Sequence, residues 1–323
     1  MENTKISWCD HTVNFWWGCS KVSPACAHCY AEALDARFAT AADTKKPFLQ
    51  ARGKHWGIDA PRLLRVDAAC LEAFRYQRRA AWRAPGSDAK WSTRFRVFTN
   101  SMSDFFEDRR DLDSARLQAL DVMRQTPNLD WLILTKRPEK ILDLIAIAEA
   151  KATAMAFVDL TQESLAIWLN DWRMGKPPAN IWLGTTVEDQ QRADQRIPAL
   201  LQVPAAIRFL SCEPLLGQVD LFRVPRPDID WVICGGESGP HARPMHPDWV
   251  RALRDQCAAA GVPFLVKQWG EWAPNCLCGR PVACKETPRP EPGKPGCMFR
   301  CGKARACRLL DGVLQDAFPE VQR

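Results

Sequence analysis

Three cysteines fall within eleven positions of one short stretch, "CSKVSPACAHC": Cys19, Cys26 and Cys29. Three thiolates leave a tetrahedral zinc site one ligand short and cannot pair off as disulfides. They suit a [4Fe-4S] cluster whose fourth iron is open to an outside ligand, unlike the closed four-cysteine sites that carry electrons. Two other readings stand beside this one. A zinc ion could be completed by Cys9, His11 or His28, or the thiols could share no role.

An open iron corner is the device of the radical S-adenosylmethionine (radical SAM) enzymes. There it chelates the methionine end of S-adenosyl-L-methionine and passes one electron to the sulfonium. The resulting 5′-deoxyadenosyl radical abstracts hydrogen from a substrate, while the protein supplies binding, dryness and orientation. Their commonest spacing is C-x3-C-x2-C. Here it is C-x6-C-x2-C, so the second gap agrees and the first is longer. Tyr30 or His28 would lie near the adenine or the cluster.

Such a site needs a frame. Seven short apolar runs recur: "TVNFWW" (12–17), "RVFTNS" (96–101), "WLILTK" (131–136), "NIWLGTT" (180–186), "IRFLSCE" (207–213), "WVICGGE" (231–237) and "FLVKQWG" (264–270). Most are apolar on both faces, as strands buried in a parallel sheet are. Helical patterns lie between them. "DSARLQALDVMRQT" (113–126) has Asp113 or Ser114 to cap it, and "HPDWVRALRDQCAAAG" (246–261) ends on a glycine stop. The alternation predicts an α/β protein, a complete or partial (βα) TIM-like barrel with parallel strands, with a doubly wound sheet as the competing architecture. In both, function gathers at the C-terminal strand ends.

Polar residues cluster where the runs end. Cys19 follows the first; Asn100, Ser101, Ser103 and Asp104 the second; Thr135, Lys136 and Arg137 the third. Thr185, Thr186 and Glu188 follow the fourth, Ser211 and Glu213 the fifth, Gly235, Gly236, Glu237 and Ser238 the sixth, and Lys267 and Gln268 the last. Seven polar tips in succession predict one rim around one pocket.

The bulk composition sets bounds. The chain has 323 residues, a net charge of +6 and 14 cysteines. Its N-terminus lacks the apolar run of a signal peptide, and no stretch has the length of a membrane span. The expectation is a cytoplasmic protein, in which structural disulfides are rare. Isolated cysteines such as Cys70, Cys212, Cys234 and Cys257 then read as small buried apolar residues. Residues 1–273 form the expected barrel, with a basic insertion at about 40–95; residues 274–323 read as a Cys/Pro-rich loop and a tail packed on it. Positions 51–96 hold eleven Lys/Arg against four Asp/Glu, with Trp56, Phe74, Tyr76, Trp82 and Trp91 interleaved. Arginines among aromatics can bind single-stranded nucleic acid; a solvated helical insertion with arginine stems over apolar surface is the simpler account. Cys276, Cys278, Cys284, Cys297, Cys301 and Cys307 offer a second cluster or a zinc site, at irregular spacings.

The chain resembles the phage proteins named for gene products thirty-seven and sixty-eight, a three-Cys-motif, radical-SAM-like family. The likeness runs through "TKISWCDHTVNFWWGCSKVSPACAHCYAE" (4–32), "VFTNSMSDFFED" (97–108), "WLILTKRPEKI" (131–141), residues 180–221, residues 230–272 and "GKARACRLLDG" (302–312). Most of the C-terminal cysteines depart from it. The resemblance implies a barrel of the radical SAM type, a [4Fe-4S] cluster on Cys19, Cys26 and Cys29, S-adenosyl-L-methionine as cofactor, and an electron donor such as a flavodoxin or ferredoxin. The superfamily's Gly-Gly-Glu lies near the second strand, whereas Gly235-Gly236-Glu237 follow the sixth run, so that role is not transferred. Residual roles follow from charge. Asp104 or Glu237 would meet an ammonium; Lys136, Arg137 and Arg243 a carboxylate or phosphate; Glu188 and Glu213 substrate hydroxyls or amines; Lys267 and Gln268 would close the pocket. Tyr30, Asn100, Ser101, Ser103, Thr135, Ser211, Gly235 and Gly236 complete the expected cofactor-binding set. An internal salt-bridge network is the alternative use of every one of these charges. A non-enzymatic iron–sulfur or zinc protein that binds nucleic acid, and a phage accessory protein, are the alternatives for the whole chain.

Overall fold

The computed structural model describes residues 2–40, 55–82, 94–221, 228–274, 285–286 and 298–320. Trp91, Cys276, Cys278, Cys284 and Cys297 lie outside the described residues. The chain divides into two compact units. The first takes Met1–Lys21, Ala31–Gly184 and Gln202–Ala206, the second Val22–Tyr30, Thr185–Leu201 and Ile207–Arg323.

In the first unit β1 (His11–Thr12) pairs in parallel with β4 (Phe95–Thr99), and β4 with β5 (Leu129–Thr135). The run expected as one strand over 12–17 is split. Asn14 interrupts it, its side chain accepting from Met102 N at 2.8 Å and donating to Ser101 Oγ at 3.0 Å. The chain then turns aside, and β2 (Trp16–Trp17) pairs antiparallel with β3 (Leu63–Leu64). Helices α2 (Val66–Trp82), α3 (Asp113–Gln125), α4 (Ile141–Ala156) and α5 (Glu163–Arg173) follow, α4 packing on both α3 and α5. The start of α3 differs from expectation. Neither Asp113 nor Ser114 caps it; Leu112 stands at the cap, and Asp113 turns to Arg116 at 2.9 Å. β5 is buried on both faces apart from Leu134, with Trp131, Leu132 and Ile133 fully enclosed.

The second unit holds β7 (Ile207–Cys212), β8 (Trp231–Gly235) and β9 (Phe264–Gln268), paired in parallel, with helices α6 (Gln190–Leu201) and α7 (Pro247–Ala260). β6 (Ile181–Thr186) begins in the first unit and ends in the second. The hydrogen-bonded order is β1-β4-β5-β6-β7-β8-β9, a seven-stranded sheet with β1 and β9 at its edges among the described residues, so no closed barrel is formed there. The remaining helix, α1, is Tyr30–Thr40.

The described tail, 298–320, belongs to the second unit and is laced to its edge strand: Val266 N donates to Gln315 O and Ala317 N to Phe264 O. Trp231 is fully buried, its ring 5.1 Å from that of Phe318, and its Nε1 donates to Ala317 O at 2.8 Å. Cys212, Cys234 and Cys257 are buried free thiols, as the small-apolar reading expected, and Cys70 is half-buried. No described helix is long and apolar enough to cross a membrane.

α7 starts where the sequence places it. Pro247 supplies the first turn, and His246 Nδ1 accepts from Asp248 N at 2.9 Å. Gly261, at φ 67°, closes the helix in the left-handed region. Burial, with help from Arg251 and against Asp248, holds the His246 pKa below its ordinary value. The fold therefore prefers the neutral ring, and this contribution is complete above the unfolded value near 6.5 and lost as pH falls through the lowered one. We expect stability between pH 7 and 5 to drop by up to about 1 kcal/mol through this cap, and His246→Asn, which can cap without titrating, to abolish that part of the drop in urea titrations.

Candidate functional site

The backbone around Cys19 is fixed before any side chain is considered. Gly18 sits at φ +104°, and a Cβ there would lie 2.2 Å from His55 O, so only glycine fits. Gly18 N donates to Met102 O, and Gly57 N to Cys19 O, both at 3.0 Å. His55 is itself pinned by Asp35, Nδ1 to Oδ1 at 2.8 Å.

Two acids from the loop after β4 then organise the strand ends of the first unit. Asp104 Oδ1 accepts from Thr135 Oγ1 at 2.6 Å and Phe106 N at 3.0 Å, and Oδ2 from Lys136 N and Arg137 Nη1, both at 2.9 Å. Glu107 Oε1 accepts from Ser20 Oγ at 2.6 Å and Ser20 N at 3.0 Å. The same carboxylate takes a two-pronged contact from Arg62, each prong 2.8 Å. Arg137 Nη2 donates to Ser20 O at 2.9 Å and Ser20 Oγ at 2.8 Å, and its Nη1 stands 3.9 Å from Cys19 Sγ. Asp104, Glu107, Arg62 and Arg137 are all buried. Burial, reinforced by Asp104 and opposed by Arg137, pushes the Cys19 thiol up to about 12. Arg137 is held above its ordinary value despite burial, by Asp104 and then Cys19.

Other expected members of this group serve the backbone. Asn100 is buried and its Oδ1 accepts from Phe15 N at 3.1 Å, while Ser103 Oγ donates to Trp16 O at 3.0 Å. The Lys136 ammonium, half-buried, has no ion-pair or hydrogen-bond partner among the described residues.

In the second unit Pro24–Cys26 forms a single 3-10 turn, opened by the proline and closed by Ala27 N on Pro24 O. It carries Cys26, and Cys29 immediately precedes α1, whose first residue Tyr30 is exposed. Cys19, Cys26 and Cys29 are all free and partly exposed. Cys19 belongs to the first unit, Cys26 and Cys29 to the second. Among the described residues no three His, Cys, Asp or Glu side chains are already gathered around a metal position. His11, a candidate zinc ligand, is buried and stacked on Tyr76 with centroids 4.1 Å apart.

Glu237, at the end of β8, faces this turn. Its Oε2 accepts from Arg243 N at 2.8 Å and Arg243 Nε at 3.0 Å, and its Oε1 from Arg243 Nη2. The pair holds the Glu237 carboxyl below its usual range against the opposing pull of burial, and His28 contributes. An ionised carboxylate only accepts, so His28 Nδ1, 3.2 Å from Oε2, is the donor there. Arg243 Nη2 also donates to Pro24 O at 2.9 Å.

A second charge pair lies at the ends of β7 and β9. The β8–β9 register slips between Cys234 and Gly235, so Lys267 is the extra residue of a bulge, and its ammonium meets Glu213 at 3.1 Å. Gly235 makes room: a Cβ there would be 2.4 Å from Glu213 Oε1. Ser211 Oγ is 3.5 Å from the same carboxylate. Gln268 Nε2 donates to Gly236 O and Ser238 Oγ, both at 3.1 Å. Glu188 is fully buried against Arg196 Nη1 at 2.8 Å.

The polar tips of the first unit thus gather on Asp104 and Glu107, and those of the second include the pairs Glu237–Arg243, Glu213–Lys267 and Glu188–Arg196. Three participants carried no sequence expectation. Glu107 is signalled only as one of the three acids of "DFFED"; Ser20 and Arg62 have no local signal, Arg62 being one arginine among eleven basic residues of its stretch. Other charges of that stretch are also spent internally, Arg94 on Asp130 at 2.9 Å and Arg96 on Asp10 at 3.4 Å.

Fold and site together define a class: a parallel α/β protein that carries its polar machinery at the C-terminal strand ends. The chain belongs to the family described as a protein of unknown function (DUF5131), whose model matches residues 3–319. No curated protein and no solved structure matches it.

Two outcomes follow from the first-unit network. Replacing Glu107 by Leu strands the Arg62 charge and should cost about 3–5 kcal/mol, measured by chemical denaturation. Because the thiolate is the reactive form, Cys19 in the folded metal-free chain should alkylate at pH 8 at least ~100-fold more slowly than in the urea-unfolded chain, followed by peptide mass spectrometry.

Proposed function

We propose that the protein is a radical S-adenosylmethionine enzyme, with Cys19, Cys26 and Cys29 holding a [4Fe-4S] cluster, on a partial barrel of the radical SAM type. The observation that carries this reading is the thiol trio itself. All three are free and partly exposed, in a chain whose other isolated cysteines are mostly buried, and sulfur donors of this kind suit iron–sulfur ligation. The donor set fits the group by its chemistry. When bound, such a cluster supplies the single electron that cleaves S-adenosyl-L-methionine.

The chain's own residues divide the remaining work. Lys136, whose ammonium has no described partner, is the cation best suited to meet a ligand carboxylate or phosphate. Lys267 and Glu213 neutralise each other at 3.1 Å and together present donors and acceptors to a neutral polar group, with Ser211 beside them. Glu188, fully buried, gives Oε2 to Arg196 at 2.8 Å, while its Oε1 has no hydrogen-bond partner among the described residues and is left to accept from a ligand donor. The substrate is unassigned. Nucleic-acid binding through residues 51–96 draws less support, because Arg62, Arg94 and Arg96 are committed to Glu107, Asp130 and Asp10.

Anoxic reconstitution tests the reading. The wild-type chain should take up about four irons and four sulfides and, with dithionite, release 5′-deoxyadenosine from S-adenosyl-L-methionine; the Cys19→Ala/Cys26→Ala/Cys29→Ala variant should do neither. A colourless protein that retains zinc and leaves the nucleotide intact would sink it. Lys136→Met should weaken nucleotide binding about tenfold, near 1.4 kcal/mol, by equilibrium titration, if Lys136 meets its carboxylate.

A further inference from the structure

We infer that two arginine–carboxylate clamps hold the cysteine motif, Arg137–Asp104, buried, at its Cys19 end and Arg243–Glu237, a buried carboxylate under a partly exposed guanidinium, at its Cys26–Cys29 end. These four side chains are then positioning residues, not contacts for charged groups of a ligand. What the cysteines hold rests on the iron–sulfur reading above; that they are held does not.

The same construction occurs twice, once in each unit. In each, a guanidinium spends part of its N–H fork on a carboxylate and turns another N–H onto a main-chain carbonyl of the motif. Arg137 reaches Ser20 O and Arg243 reaches Pro24 O, each at 2.9 Å. Each clamp also takes a side chain from the motif: Ser20 Oγ on Arg137 at 2.8 Å, and His28 Nδ1 on Glu237 at 3.2 Å. The arginines come from far along the chain, 117 residues from Ser20 and 219 from Pro24. A segment rich in small and turn residues has few ways to fix itself locally. Long-range donors to its carbonyls supply the order that metal ligation needs, as outer-shell partners do for metal ligands generally.

The rival use of these residues is direct contact with a charged ligand. Asp104 already accepts four hydrogen bonds, from Thr135, Phe106, Lys136 and Arg137. Both Glu237 oxygens are engaged by Arg243. At Asp104 a ligand ammonium would have to displace the buried Arg137 guanidinium and leave it unpaired, the costly half of any buried ion pair; at Glu237 it would have to displace the Arg243 fork from both oxygens of a buried carboxylate.

Hydrogen exchange on the metal-free full chain separates the two uses. Glu237→Gln should speed exchange of the amides of residues 25–30 at least tenfold and leave residues 18–21 unchanged. Asp104→Asn should do the reverse. Should Asp104→Asn fold poorly, Arg137→Lys takes its place. In the reconstituted protein both variants should lose iron to a chelator severalfold faster and shift the electron paramagnetic resonance g-values of the reduced cluster, with Glu237→Asp restoring part of each effect. Unchanged exchange in both segments, or equal loosening of both by either variant, would overturn the clamps. Iron retained by the triple cysteine variant would instead overturn the iron–sulfur reading, and exchange in the metal-free chain would still decide the clamps.

Discussion

A guanidinium buried against a carboxylate is tolerable only when its remaining N–H groups and the carboxylate's lone pairs are also satisfied. That requirement shapes the first unit. Asp104 and Glu107 leave the end of β4 three residues apart, and each must be filled. Arg137, from the end of β5, and Arg62, from a stretch after α1, supply the charges. Their surplus donors then need carbonyls, and the chain brings Ser20, His55, Gly57 and Ala60 to them. The path of residues 18–20 is the consequence. Gly18, the one residue in this path that must adopt positive φ, lets the backbone come within reach of His55.

The second unit meets a similar demand with different parts. Glu237 and Arg243 lie six residues apart and close on each other within one connection, so the ion pair is local while its remaining donor is long-range. Lys267 reaches Glu213 because a bulge re-aims one residue of β9, and Gly235 leaves room for the carboxylate. Charge at the strand ends is mostly neutralised in place. A charge with no partner among the described residues, such as that of Lys136, is the exception, and on electrostatic grounds it is the better candidate for an ionic ligand contact.

This bears on how strand-end polarity is read. A charged residue directly after a buried strand signals either ligand binding or the internal bracing of loops, and the residue type does not distinguish them. Burial and the count of satisfied donors do. Asp104 and Glu237 look equivalent to Glu213 in sequence, yet the first two are engaged by arginines that also donate to carbonyls of the cysteine segment, whereas Glu213 is engaged by a lysine.

Much of the frame was legible in the sequence. Six of the seven apolar runs are strands of the sheet within two residues of where burial on both faces places them, because a strand enclosed on both sides must be apolar throughout. The first run failed, since Asn14 spends its side chain on Ser101 and Met102 and diverts the chain, a contact 87 or 88 residues away that no local pattern records. The α7 boundaries were readable from Pro247 and Gly261, whose backbone preferences are intrinsic. The start of α3 was not, because Asp113 found Arg116 instead of the helix amides. The cysteine trio, too, belongs to the sequence, where types and spacing already limit the chemistry. Only the tertiary structure decided which charges were free. Ion pairs and hydrogen bonds depend on distance in space, and the pair Arg62–Glu107 and the contacts of Arg137 with Ser20 and of Arg243 with Pro24 are made by residues far apart along the chain.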